Sequence, residues 1–127
     1  MNAGVVDLIE RRSPDVVFHL AAQADVRVSV ADPVLDASIN VIGALNVLEG
    51  TRRAGADKIV FACLGSTIYT TCRACRSRNP PVRPESPYGI TKRVFTDYLT
   101  AYRLLHDLEF TSLALGNVYG PRQGFPR

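Results

Sequence analysis

The sequence predicts an α/β fold built on a parallel sheet. Three observations carry that prediction. Short apolar runs stand at residues 15–20, 58–62 and 110–115, helix-length segments separate them, and a helix-start signal opens each of those segments. Strand, helix, strand, helix, strand is the order that right-handed crossovers wind into a parallel sheet, here half of a doubly wound one. A chain of 127 residues suits a single domain, spanning 1–127.

The first run, DVVFHL, reads as a buried parallel strand because it is continuous and opens on β-branched residues. Residues 3–12 ahead of it form a helix with Val6 and Ile9 turned inward. Asp32-Pro33 supplies a capping carboxylate and a proline suited to the first helical position. The helix it opens runs to Arg53 and stops at Gly55. Its apolar residues Val34, Leu35, Ile39, Val41, Ile42, Leu45, Val47 and Leu48 cover more than one face. That suits a helix lying between the sheet and another body, such as a partner subunit. KIVFA at 58–62 is the second strand. From Leu64 to Glu85 no periodicity survives, which reads as a long loop, and loops of that length tend to be functional. Ser86-Pro87 repeats the cap-plus-proline signal, and its helix extends to about His106 with Val94, Tyr98, Leu99, Tyr102 and Leu105 on one stripe. FTSLAL, Phe110 to Leu115, is the third strand, followed by the irregular GNVYGPRQGFPR.

Hydrophobic residues make up 46% and charged residues 21%, a balance that argues against disorder. The net charge of +3 is too small to point to a nucleic-acid partner, and the basic residues are scattered apart from Arg73, Arg76, Arg78 and Arg83. No apolar run approaches the ~18 residues of a membrane span. The opening MNAGVVDLIERR lacks the layout of a signal peptide, so a cytoplasmic protein is expected. Cys72 and Cys75 form a C-x-x-C. They lie in an Arg/Asn/Pro-rich loop, and His19 and His106 are far away in sequence, so no metal site is expected.

The segment SPYGITK places Tyr88 and Lys92 four residues apart on the opening turns of a helix, and so on one face. A free tyrosine titrates near pKa ~10 and is a poor base at neutral pH. Bringing it near neutrality takes roughly 4 kcal/mol, which a close ammonium, the helix N-terminus and a cofactor charge can supply jointly. Taken alone, Y-x-x-x-K equally describes a half-buried tyrosine beside a solvated lysine.

Four segments in order remove that ambiguity. FHLAAQADVRVSVADP, Asn40 with Gly43 as N-x-x-G, SPYGITK and NVYGPRQ resemble the extended short-chain dehydrogenases, the NAD-dependent epimerase/dehydratase family, and among them the UDP-glucose 4-epimerases. The resemblance covers nearly the whole chain and implies a partial Rossmann-type sheet of about three strands. It implies that Tyr88 takes the proton from a sugar 4-hydroxyl while hydride passes to NAD, and that Lys92 holds the nicotinamide ribose and depresses the tyrosine. The sugar then passes through a 4-keto form. Leu20, Ala21, Ala22 and Gln23 would line the cofactor, Asn40 would fix its side of the site, and Asn117 would bind the substrate diphosphate. The implied substrate is a UDP-sugar or a related nucleotide sugar, and the implied assembly is a homodimer through the two long helices.

The sequence departs from the family in three places. No G-x-x-G-x-x-G turn is present to cradle a pyrophosphate, and little follows NVYGPRQ. The chain therefore reads as a fragment that alone binds NAD negligibly and has little or no activity. At the end of the second strand the segment reads ACLGSTIYT. Cys63 and Leu64 stand where relatives carry serines and Thr70 where they carry glycine, which leaves Ser66 or Thr67 to supply the catalytic hydroxyl. Residues 70–80, TTCRACRSRNP, lack the acidic and proline character usual in this loop, as a local reading-frame disturbance would produce. The rival readings are a nucleotide-sugar 4,6-dehydratase, disfavoured by the lack of an acidic pair beside Ser66 or Thr67, and a non-catalytic remnant or interaction module.

Overall fold

The computed structural model describes residues 3–64 and 84–116, with residues 118 and 120. In chain order these form α1 (Ala3–Arg12), β1 (Val16–His19), α2 (Val26–Ala31), α3 (Pro33–Ala37), a π-helical turn (Ser38–Gly43), α4 (Ala44–Arg53), β2 (Lys58–Leu64), α5 (Pro87–His106) and β3 (Glu109–Leu115). The three strands are parallel in the order β1-β2-β3, with Val16 opposite Lys58 and Lys58 opposite Glu109. The expected parallel three-stranded sheet is present.

The helix boundaries follow local chemistry. Asp32 accepts a hydrogen bond from the Leu35 amide ahead of Pro33, as the cap signal predicted. At the far end of α4, Gly55 takes φ +67°, the Gly55 amide donates to Arg52 O at 3.1 Å and the Ala56 amide to Thr51 O at 3.2 Å. That pair of bonds is a Schellman closure, which requires a residue tolerant of left-handed backbone. Ser86 accepts from the Gly89 amide and starts α5 at Pro87. One element was not foreseen: α2, six residues capped by Asp25, is too short to show a period.

The core lies on one face of the sheet. Ala44 and Leu48 from α4, Ile59, Phe61 and Cys63 from β2, Phe95 and Leu99 from α5, and Leu108 form one buried cluster. Each large apolar side chain sealed there contributes roughly 1.5–3 kcal/mol. Both α4 and α5 pack on β2 and on each other, and α1 packs on α4. A Cβ at Gly50 would stand 3.2 Å from Val6 Cα and from Ile9 Cβ, so the approach of α1 to α4 depends on that glycine. On the opposite face Val16, Phe18 and Leu113 are exposed, Phe18 by 68%.

Two helical stripes differ from expectation. In α5 the buried positions are Tyr88, Gly89, Thr91, Lys92, Phe95 and Leu99, whereas Tyr98 and Leu105 are exposed and Val94 and Tyr102 are half-buried. The stripe of aliphatic and tyrosine residues expected from the sequence lacks Phe95, a fully buried position in the core cluster with β2. In α3 and the π turn polarity is inverted: Asp36 and Asn40 are buried, while Val34, Leu35, Ile39 and Ile42 are exposed. Buried positions recur at Asp36, Asn40, Ala44 and Leu48, every fourth residue. An ideal α-helix over-rotates by about 40° at each such step. The wider π turn takes up that drift and keeps all four on one side.

Candidate functional site

Tyr88 and Lys92 stand at the carboxyl end of the sheet, on the turns of α5 that pack toward α2 and α3. Both are buried, at 5% and 4% exposure. The Lys92 ammonium lies 5.7 Å from the Tyr88 ring centroid and 4.8 Å from that of Phe61. Among the described residues it joins no ion pair. Burial pulls the Lys92 ammonium below its ordinary range, with Cys63 and Asp36 opposing the shift. Burial likewise pushes the Tyr88 phenol above its ordinary value, and Cys63 and Asp36 push it in the same direction. All three influences on the phenol act in one direction, and Lys92 is not among them.

His19 completes the floor. Its imidazole stacks on Phe61 at 5.8 Å and meets Phe95 edge-on at 5.5 Å. Burial, helped by the Lys92 charge, lowers its pKa to about 4, so the ring is neutral at physiological pH.

The first turn of α5 has its amides satisfied. Pro87 has none, the Tyr88 amide donates to Ser29 Oγ at 3.2 Å, and the Gly89 amide donates to Ser86 Oγ at 3.1 Å. Ser29 is itself fully buried and donates to Val26 O at 2.7 Å. α2, the element missed from sequence, therefore helps to cap the helix that bears Tyr88.

The loop after β1 is set by Asn40. Its Oδ1 accepts from the Gln23 amide at 2.9 Å and its Nδ2 donates to Gln23 O at 3.0 Å. Gln23 turns its side chain inward, donating to Asp25 O and to Asp36 Oδ1, both at 3.0 Å. Leu20 and Ala21 remain exposed, and Ala22 is half-buried. Of the residues expected at the site, the structure brings together Tyr88 and Lys92, and separately Asn40 and Gln23. Leu20, Ala21 and Ala22 follow directly on His19. Ser66, Thr67 and Asn117 lie outside the described residues, as do Cys72 and Cys75. Asp36, Ser29 and Thr91 were not foreseen. The spacing of Asp36 to Asn40, which puts two polar side chains on one helical face, was the available signal.

Exposed Leu20 and Ala21 and half-buried Ala22 follow β1 at the carboxyl end of parallel strands, the end where such folds bind ligands. A buried ammonium without a carboxylate partner among the described residues stands nearby. Among those residues no cluster of His, Cys, Asp or Glu is placed to hold a metal, and no helix is long and apolar enough to cross a membrane.

The family model of the NAD dependent epimerase/dehydratase family matches residues 2–127. A UDP-glucose 4-epimerase of Mycolicibacterium smegmatis is 43% identical over 124 residues, covering 97% of this chain and 40% of that protein. The crystal structure of Thermus thermophilus UDP-glucose 4-epimerase in complex with NAD superposes with a TM-score of 0.88 at 44% identity, over 96% of this chain and 40% of that one. The Thermotoga maritima UDP-glucose 4-epimerase with UDP-glucose gives a TM-score of 0.79 at 38% identity, over 94% of this chain and 40% of that one. The chain thus spans about 40% of the length of these relatives. It belongs to the NAD-dependent epimerase/dehydratase family.

Proposed function

We propose that this chain carries the acid–base segment of an NAD-dependent nucleotide-sugar 4-epimerase, with a UDP-sugar as substrate. The observation that carries the reading is the buried pairing of Tyr88 with Lys92 at the carboxyl end of the parallel sheet. Two of the relatives described above are UDP-glucose 4-epimerases whose structures hold NAD or UDP-glucose, which supports the choice of substrate class.

Tyr88 accepts the proton of the sugar 4-hydroxyl and later returns it to the 4-keto oxygen. Because burial holds its phenol protonated, it works as a base only when positive charge is brought beside it. NAD, which Leu20, Ala21, Ala22, Gln23 and Lys92 would hold, would supply the hydride acceptor and, in its oxidised form, such a charge. Lys92 would hold the nicotinamide ribose and contribute its own charge. His19 and Phe61 exclude water from beneath the pair. Ser66 or Thr67 supplies the second hydroxyl at the sugar oxygen, and Asn117 holds the diphosphate.

No glycine-rich phosphate turn is present in the sequence, so the isolated 127-residue chain is expected to bind NAD weakly and turn over little. The decisive experiment exchanges residues 3–127 for the matching segment of the M. smegmatis enzyme and follows conversion of UDP-glucose to UDP-galactose. The chimera should epimerise, and Tyr88→Phe in it should lower kcat by about 10²-fold or more. A folded, NAD-loaded chimera that releases a 4-keto-6-deoxy sugar instead would favour the dehydratase reading. One that does neither sinks both.

The two long helices also support the homodimer proposal. Ile42, Leu45, Tyr98 and Tyr102 line a groove of about 460 Å³ between α1, α4 and α5, and Ile42 and Tyr98 are exposed. Sedimentation at micromolar concentration should show a dimer that Ile42→Glu disperses.

A further inference from the structure

Asp36 is fully buried, and the reaction outlined above makes no use of it. Placing a carboxylate in a core is costly unless every lone pair facing the interior finds a donor. Here the donors are found on three separate stretches of chain. Asp36 Oδ1 accepts from Gln23 Nε2 and from Asn40 Nδ2, each at 3.0 Å, and Oδ2 accepts from Thr91 Oγ1 at 2.8 Å. Gln23 belongs to the loop after β1, Asn40 to the π turn and Thr91 to α5. Thr91 stands between the two residues of the acid–base pair, one position before Lys92, and its hydroxyl also lies 3.0 Å from Tyr88 O. The carboxylate therefore touches both the loop after β1 and the turn that presents Tyr88. A leucine could fill the volume but could not tie these stretches together.

We propose that Asp36 is a positioning residue for Tyr88 and Lys92: through Thr91 it fixes the rotation of the first turns of α5 against the Leu20–Gln23 loop, so that the two move as one body. The catalytic meaning of that role rests on the function proposed above, whereas the mechanical coupling does not. Three substitutions separate geometry from charge. Thr91→Val removes the bridging hydroxyl and alters no charge. Thr91→Ser keeps the hydroxyl and loses only a methyl group. Asp36→Asn removes the charge but can keep the bridge. Its amide oxygen would accept from Gln23 and Asn40, its Nδ2 would donate to Thr91 Oγ1, and the threonine proton would turn to Tyr88 O.

The 127-residue chain, labelled at the tyrosine ζ carbons, is titrated by NMR, with the Tyr88 signal assigned by its absence in Tyr88→Phe. Amide exchange is followed in the same samples. Thr91→Val should shift the Tyr88 titration although no charge has changed. It should also accelerate exchange at both the Gln23 and Tyr88 amides by roughly tenfold or more, leaving Leu48 and Ile59 as in the parent. Thr91→Ser and Asp36→Asn should keep Gln23 and Tyr88 exchange within about twofold of the parent. The proposal is overturned if Thr91→Val leaves the Tyr88 titration in place, or if it accelerates all amides alike, which is what a purely stabilising contact would do. It is also overturned if Asp36→Asn loosens Gln23 and Tyr88 as much as Thr91→Val does. Should Thr91→Val not fold, Thr91→Ala, which also removes the hydroxyl and alters no charge, takes its place, and parental exchange at Gln23 and Tyr88 in that variant overturns the proposal. No nucleotide or sugar enters these measurements, so failure here leaves the epimerase reading intact, and an inactive chimera leaves the coupling intact.

Discussion

His19 and Lys92 share the ring of Phe61: the imidazole stacks against it at 5.8 Å, and the ammonium lies 4.8 Å from its centroid. One aromatic side chain thus bears a neutral base and a cation. The two are coupled, because the lysine charge helps to keep the histidine deprotonated.

The coupling has a definite sign in pH. His19 in the unfolded chain protonates near 6.5, but in the fold only near about 4. Between those values the unfolded state binds the additional proton, so stability is complete above the upper value and falls as pH drops through the window. The loss is about 3 kcal/mol at most. Urea unfolding from pH 7 to pH 4 should show that decline, and His19→Phe should reduce it. Lys92→Met should raise the His19 midpoint, read from its imidazole proton shift.

Phe61 is 1% exposed and underlies both groups. Phe61→Ala should cost about 3–5 kcal/mol in chemical denaturation. Phe61→Leu keeps more of the volume and should cost less, yet it removes the aromatic face and should therefore shift the His19 titration.

Asn40 holds both backbone groups of Gln23. Asn40→Ala leaves them without that partner and should cost about 1–3 kcal/mol, with faster exchange at the Gln23 amide. Asn40→Asp should be at least as damaging, since a carboxylate cannot donate to Gln23 O and would face Asp36 Oδ1. Paired denaturation curves at one pH check the order.

Glu49 tests a surface effect. Its carboxyl is held down at about 2, chiefly by its hydrogen bond to Arg52 and then by Arg53, with Tyr102 adding a smaller contribution. A depressed acid stabilises above its unfolded value of 4.5 and loses that contribution as pH falls toward about 2. Glu49 is half-buried but its two arginine partners lie at the surface, so Glu49→Gln should cost no more than about 1 kcal/mol at pH 7. The difference from the parent should vanish in strong acid and shrink in high salt.

Much of the frame was legible because it depends on local chemistry. Asp32-Pro33 and Ser86-Pro87 mark real helix starts, Gly55 marks a real end, and the apolar runs mark the strands. Tyr88 and Lys92 were legible as a pair, since their spacing alone sets a shared face. The direction of the Tyr88 shift was not, because it depends on how deeply neighbouring segments bury the phenol. Asp36 escaped notice for a related reason. An acid in a helix reads as a solvated position, and only contacts with Gln23 and Thr91, distant in sequence, turn it inward. Phe95 is hard to single out in the sequence because its tyrosine and leucine neighbours offer an equally regular stripe, and only the position of β2 decides between the two.

The π turn at Ser38–Gly43 has a consequence for sequence drift. A regular α-helix of the same length would carry Asp36 about 120° away from Leu48, three steps of about 40° each. The turn therefore counts as one residue inserted into the helix, and removing one residue after Asn40 would restore regular winding and leave Asp36 within about 20° of Leu48. Adding a residue there would instead swing Asp36 and Asn40 off the inward side by about 100° and cost the chain its hold on Gln23 and Thr91. Length in this stretch is therefore constrained in one direction: a one-residue deletion after Asn40 should be tolerated, as should substitutions at exposed Ile39, whereas a one-residue insertion should not.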